Sequence, residues 1–130
     1  MGISKLLVVD DAFTILSLLD NLFKKKYEVT KCRSVSEAKE KINQEIPDFI
    51  ITDLNMPEVS GEDLVMYLKS NEKLVDIPII VLSSTDSVNT KLKMLKMGID
   101  DYVQKPFNLE ELSLRTDNIL KRYNTKLYPN

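Results

Sequence analysis

Five short strand-like segments alternate with five segments of helical periodicity, and four of the five are apolar runs that end in residues that carry chemistry. Asp10 and Asp11 follow Leu6-Leu7-Val8-Val9. Asp53 follows Phe49-Ile50-Ile51-Thr52, Ser83 follows Ile79-Ile80-Val81-Leu82, and Lys105 follows Tyr102-Val103-Gln104. Runs this short and continuous, rich in Val, Ile and Leu, read as strands buried on both faces, which is the habit of a parallel sheet. Parallel neighbours need a crossover, normally a helix, and the crossover is right-handed. Five such units in 130 residues predict one doubly wound α/β domain.

The periodicity supplies the elements. The strands are expected at Lys5–Val9, Tyr27–Cys32 (weakly alternating, an edge), Phe49–Thr52, Ile77–Leu82 and Asp101–Gln104. The first helix runs from Phe13 to about Lys24, with Ile15, Leu18, Leu19, Leu22 and Phe23 as its core stripe and Phe13 and Leu16 left over. Ser34-x-x-Glu37 is a capping box that opens the second helix, which reaches about Gln44 before Pro47. The third helix follows Gly61, roughly Glu62–Ser70, with Leu64, Tyr67 and Leu68 inward. The fourth, Ser87–Met97, ends at Gly98 in the usual C-cap place, with Leu92, Met94, Leu95 and Met97 read as core. Asn108-x-x-Glu111 opens the fifth, which runs to about Tyr123 with Leu112, Ile119 and Leu120 inward. The domain is therefore drawn over 1–124, with 125–130 as a patternless C-terminal tail. A flavodoxin-like strand order 2-1-3-4-5 is expected, with helices on both faces and the ligand site outside the carboxyl ends of the strands, where the order reverses.

Charge and composition narrow the function. Net charge is −2 and the pI about 5.2, so no basic surplus argues for nucleic acid or an anionic membrane. The run Lys24-Lys25-Lys26 falls at a helix end, where the dipole favours cations. No apolar stretch is long enough to span a bilayer. Cys32 is alone, which excludes an intrachain disulfide; with no signal peptide, the expected compartment is the reducing cytosol. Met1-Gly2 opens a myristoylation-like motif that Leu6 breaks. The absence of histidine excludes imidazole metal ligands, His general bases and a phosphohistidine on this chain.

If the runs are parallel strands, Asp10, Asp11, Asp53, Ser83 and Lys105 meet at one sheet edge. Three carboxylates against one ammonium leave two negative charges unbalanced, which favours either a proton or a divalent cation. Oxygen-only ligands suit Mg²⁺. An aspartate carboxylate can attack phosphorus, while a metal, an ammonium and a hydroxyl neutralise the phosphoryl oxygens. Spacing alone leaves the nucleophile open among the aspartates; Asp53 is favoured because a central strand would set it between Asp11 and Lys105.

Four motifs in order then carry a resemblance. Val8-Val9-Asp10-Asp11, Asp53-Leu-Asn-Met-Pro57 with Gly61, Pro78-Ile-Ile-Val-Leu-Ser83-Ser84, and Gly98-Ile-Asp-Asp-Tyr-Val-Gln-Lys105-Pro106-Phe107 resemble the receiver domain of bacterial response regulators, the CheY-like modules, over about residues 4–123. The resemblance implies a two-component phosphoacceptor. Asp53 would take the phosphoryl group; Asp11, Asp53 and the Asn55 backbone carbonyl would ligate Mg²⁺, with Asp10 acting through water. Lys105 would pair with the phosphoryl group beside a cis Lys105–Pro106 bond. Ser83 would be the switch hydroxyl and Tyr102 the aromatic that rearranges with it. The donor would be a histidine kinase or histidine phosphotransfer protein, and the output a downstream target protein. The chain would catalyse its own phosphorylation and dephosphorylation rather than act as an enzyme on other substrates. A stand-alone, monomeric regulator is expected.

Departures from the family pattern are modest. Ser84 stands where Ala or Gly is commonest, Ser83 replaces Thr, and Met94 and Ile99 replace frequent Ala. Asn55 and Thr85 stand where the family tunes phosphoryl lifetime. Phe13 and Leu16 are either scattered surface hydrophobes or an apolar rim for a phosphohistidine-bearing helix. Two alternatives remain: an Asp-nucleophile phosphatase, disfavoured because Asp10 and Asp11 are adjacent, and a non-phosphorylated receiver-like binding module, disfavoured because no acidic or Lys position is missing.

Overall fold

The computed structural model describes residues 4–127, with side chains through residue 123. Five strands, β1 (Lys5–Val9), β2 (Glu28–Cys32), β3 (Phe49–Asp53), β4 (Ile79–Ser83) and β5 (Asp101–Gln104), alternate with five helices, α1 (Phe13–Phe23), α2 (Val35–Gln44), α3 (Gly61–Lys69), α4 (Val88–Lys96) and α5 (Leu109–Leu127). All strand pairs are parallel and the order is β2-β1-β3-β4-β5. Register aligns Val9 with Thr52, Asp53 with Leu82 and Ser83 with Gln104, so the carboxyl ends finish at one edge.

Strand side chains alternate between two cores, as a period of two demands. Leu6, Val8, Phe49, Ile51, Ile80 and Leu82 meet Leu16, Leu19 and Phe23 of α1 and Leu112 and Ile119 of α5. Leu7, Val9, Ile50, Ile79 and Val81 meet Val35, Ala38 and Ile42 of α2, Leu64, Val65 and Leu68 of α3, and Met94 of α4. Each fully buried Leu, Ile, Val or Phe contributes about 1.5–3 kcal/mol, so the sheet is held from both sides.

The helix ends carry the expected caps. Ser34 Oγ accepts from Glu37 N at 3.1 Å, Ser87 Oγ from Thr90 N at 3.3 Å, and Asn108 Oδ1 from Glu111 N at 2.8 Å. Gly98 ends α4 at φ +97°, a conformation open to glycine. Among the described residues no helix is long and apolar enough to cross a membrane.

Three expectations need correction. The buried stripe of α1 is Leu16, Leu19 and Phe23, with Ile15 and Leu22 half-buried and Leu18 38% exposed. Leu16, expected to be left over, is 3% exposed. The spacing allowed either phase, and the helix is rotated by about one position towards β1, β3 and α5. In α4 only Met94 is buried, Met97 is half-buried, and Leu92 and Leu95 are exposed. Positions 92, 94, 95 and 97 cover more than one face, and this nine-residue helix packs by a narrow strip. Finally, α5 runs to Leu127, past the boundary drawn at 124, because no Gly or Pro interrupts it before Pro129. Residues 1–3 and 128–130 lie outside the described residues, and with them the myristoylation-like start and the rest of the proposed tail.

The α1 correction is testable. Leu16→Ala removes a buried side chain between sheet and helix and is expected to cost about 3 kcal/mol, read as a lower urea midpoint. Leu18→Ala is expected to leave the midpoint within about 0.5 kcal/mol of the parent.

Candidate functional site

The five chemistry-bearing positions meet at the carboxyl edge of the sheet. Asp10 and Asp53 are buried and Asp11 is half-buried; their carboxylate oxygens lie within 4.8 Å of one another. The Lys105 Nζ donates to Asp10 Oδ2 at 2.8 Å and pairs with Asp53 Oδ1 at 3.3 Å. The β1–α1 turn contributes Ala12 N, which donates to Asp10 Oδ1 at 2.9 Å. Asn55 N donates to Asp53 Oδ1 at 3.4 Å. The Lys105–Pro106 peptide is cis.

Local sequence explains how Asp53 is held. α3 begins at Gly61, whose N–H donates to Leu54 O at 3.0 Å. A Cβ there would stand 2.1 Å from Asp53 O and 3.0 Å from Leu54 Cα. Only glycine lets the start of α3 rest on the Asp53 peptide. Leu54 N donates across to Leu82 O at 2.8 Å, tying the end of β3 to β4.

The electrostatics are those of a pocket with too much negative charge. Burial pushes the Asp53 carboxyl above its ordinary range, and the neighbouring Asp10 pushes the same way, more than Lys105 pulls it back. Burial disfavours the Lys105 ammonium, but its hydrogen bond to Asp10 and the attraction of Asp10 and Asp53 outweigh that and raise its pKa. Carboxylate oxygens this close, with one ammonium among three acids, fit a small hard divalent cation.

Ser83 is buried in the same pocket. Its Oγ donates to Asn55 Oδ1 at 3.1 Å and accepts from Thr85 N at 3.1 Å. Tyr102, half-buried on β5, donates its hydroxyl to Thr85 O at 3.4 Å. Every residue selected from the sequence therefore lies on this edge. Two features were not anticipated. Arg33, after β2, donates from its guanidinium to Asp11 O at 3.2 Å; its place at a strand end was the only available signal. The Asn55 side chain, expected at a position where the family tunes phosphoryl lifetime but with no contact foreseen, bridges to Ser83 and Ser84.

Comparison with known proteins agrees with this geometry. Residues 6–117 match the family model described as response regulator receiver domain. The chain is 37% identical over 126 residues to Response regulator SaeR of Staphylococcus epidermidis, covering 96% of this chain and 54% of that protein. It is 36% identical over 122 residues to Hybrid signal transduction histidine kinase D of Dictyostelium discoideum, covering 94% of this chain and 8% of that protein. It thus spans about half, or far less, of these relatives. Among solved structures, a putative response regulator from Chloroflexus aurantiacus superposes with TM-score 0.86 at 30% identity, covering 92% of this chain and 99% of that one. The Francisella response regulator 1452 receiver domain superposes with TM-score 0.84 at 34% identity, covering 92% and 98%.

The raised carboxyl of Asp53 has a sign. A folded-state pKa above the unfolded value gives stability that is complete at pH below the ordinary carboxylate range of about 4 and declines as pH rises through the folded pKa. At pH 7 in EDTA, Asp53→Asn is therefore expected to melt higher than the parent, with a flatter pH dependence of melting above pH 4. Added Mg²⁺ is expected to raise the parent more than the variant. Scanning calorimetry across pH checks both.

Proposed function

The chain belongs to the response regulator receiver domain family, the module of two-component signalling, and from that membership we propose that Asp53 is its phosphoacceptor. The supporting observation is the half-buried Lys105 ammonium held between the buried carboxylates of Asp10 and Asp53. A carboxylate oxygen of Asp53 attacks phosphorus in line, the P–N bond of a phosphohistidine breaks, and the imidazole leaves with the electron pair and takes up a proton. An acyl phosphate remains on Asp53. Hydrolysis reverses the state: water attacks phosphorus, the bond to the Asp53 oxygen breaks, and inorganic phosphate departs. Both steps proceed on this chain's own residues, so the protein acts as a self-modifying signal carrier.

Asp10, Asp11, Asp53 and the Asn55 backbone carbonyl would hold the cation, with Asp10 reaching it through water. Mg²⁺, when bound, offsets the pocket's surplus charge and that of the phosphoryl oxygens. Lys105 leaves its two carboxylates partly free and pairs with a phosphoryl oxygen. The Ser83 hydroxyl donates to another, drawing the loop that carries Thr85, and Tyr102 follows through its bond to the Thr85 carbonyl. A moved loop and aromatic present a changed face to a downstream protein.

The donor's place is suggested by an apolar hollow of about 390 Å³ beside Lys105, lined by Ile15, Leu18, Ser84, Pro106 and Phe107. Phe13, 67% exposed, extends the apolar surface along α1. A helix bearing the phosphohistidine of a kinase or phosphotransfer protein would bury this rim and bring its imidazole over Asp53.

Incubation with acetyl phosphate and Mg²⁺, followed by intact mass, tests the phosphoacceptor. The parent is expected to gain one phosphoryl group and Asp53→Asn none; no gain by the parent contradicts the proposal, and an equal gain by the variant contradicts the choice of Asp53. Leu18→Ala tests the docking rim. It is expected to slow transfer from a phosphohistidine protein about fivefold while leaving the rate with acetyl phosphate unchanged.

A further inference from the structure

The Asn55 side chain occupies a position that the proposed chemistry does not use. Asn55 lies two residues past Asp53 and is exposed at the pocket mouth. Its Oδ1 accepts from three donors on the far side: Ser83 Oγ at 3.1 Å, Ser84 N at 3.3 Å and Ser84 Oγ at 3.3 Å. The Ser83 hydroxyl has one proton, which it gives to Asn55 Oδ1 at 3.1 Å, while its Oγ accepts from Thr85 N at 3.1 Å. Asp53 and Leu82 are register partners, so Ser83 and Ser84 follow directly beside the end of the strand that carries Asp53.

A phosphoryl oxygen on Asp53 would be an acceptor between the ends of β3 and β4. The Ser83 hydroxyl and the Ser84 amide stand at the end of the strand beside Asp53, and both are now given to Asn55. We propose that the Asn55 carboxamide oxygen is a built-in surrogate for a phosphoryl oxygen: it holds the Ser83–Ser84 donors in the unphosphorylated protein and has to be displaced before they can bind the phosphoryl group. This rests on Asp53 being the phosphoacceptor.

The clasp does two things. It gives the Ser83 hydroxyl and the Ser84 amide a protein acceptor in the resting arrangement. It also sets a threshold for switching. Thr85, whose carbonyl accepts from Tyr102, is tied to Ser83 Oγ, so the clasp holds the whole Ser83–Thr85 loop and the aromatic in the resting arrangement. Only an acceptor stronger than a neutral amide, such as a charged phosphoryl oxygen, displaces it readily. A competitor that occupies the site most of the time raises the apparent dissociation constant by the reciprocal of the free fraction.

The test uses beryllofluoride with Mg²⁺ as a stable phosphoryl mimic, titrated calorimetrically into the parent and into Asn55→Ala. The substitution keeps the backbone carbonyl assigned to the cation. The variant is expected to bind beryllofluoride about fivefold more tightly, the effect of losing a net hydrogen-bond contribution of typical size. In the free proteins, the Ser84 amide is expected to exchange its hydrogen faster in the variant. Equal or weaker beryllofluoride binding by Asn55→Ala overturns the surrogate role, as does an unchanged Ser84 exchange rate. Failure of the parent to bind beryllofluoride at all overturns the phosphoacceptor reading itself and is seen before any variant is examined.

Discussion

Among the described residues Lys105 is the only ammonium paired with the two buried carboxylates of Asp10 and Asp53, and the rest of the site depends on that imbalance. Burying a carboxylate is costly unless its charge is answered. One lysine answers part of the charge and leaves the pocket short of a cation. Burial first, and then the neighbouring Asp10, raises the Asp53 carboxyl, and the converging acids could hold a divalent ion. A second lysine would stabilise the fold and remove the reason to bind one.

The scaffold makes this arrangement possible. Carboxylates would spread apart unless their backbone were fixed, and here each sits at the end of a strand buried on both faces. Parallel register places the ends of β1, β3 and β4 side by side, while the two cores hold the sheet rigid. Gly61 closes the space behind Asp53 with backbone alone. The pocket is thus held together by apolar packing that has no part in its chemistry.

The sheet order and the site were legible in the sequence because both follow from strand ends. Short continuous runs rich in Val and Ile, alternating with helical segments, point to strands buried on both faces, and a charged residue ending such a run lies at the sheet edge. Helix faces were less legible. From spacing alone Leu16 falls on the surface, because adjacent phases of an apolar helix satisfy the same spacing, and only contact with β1, β3 and α5 decides between them. Leu92 and Leu95 were read as core because hydrophobicity says nothing about how narrow a helix's contact strip is. The contacts of Arg33 and of the Asn55 side chain leave no mark in the sequence, since each bonds across more than twenty residues to a backbone or hydroxyl group that carries no signature.

The surplus acid calls for one cation site, where the acidic strand ends converge. Titration with Mn²⁺ as a paramagnetic stand-in for Mg²⁺, followed by amide NMR, addresses it most directly. Broadening that begins at Asp10, Asp11, Asp53 and Asn55 and is reversed by excess Mg²⁺ is the predicted result. Broadening that starts instead at exposed acids such as Glu110 and Glu111, or is spread evenly over the surface, would contradict it.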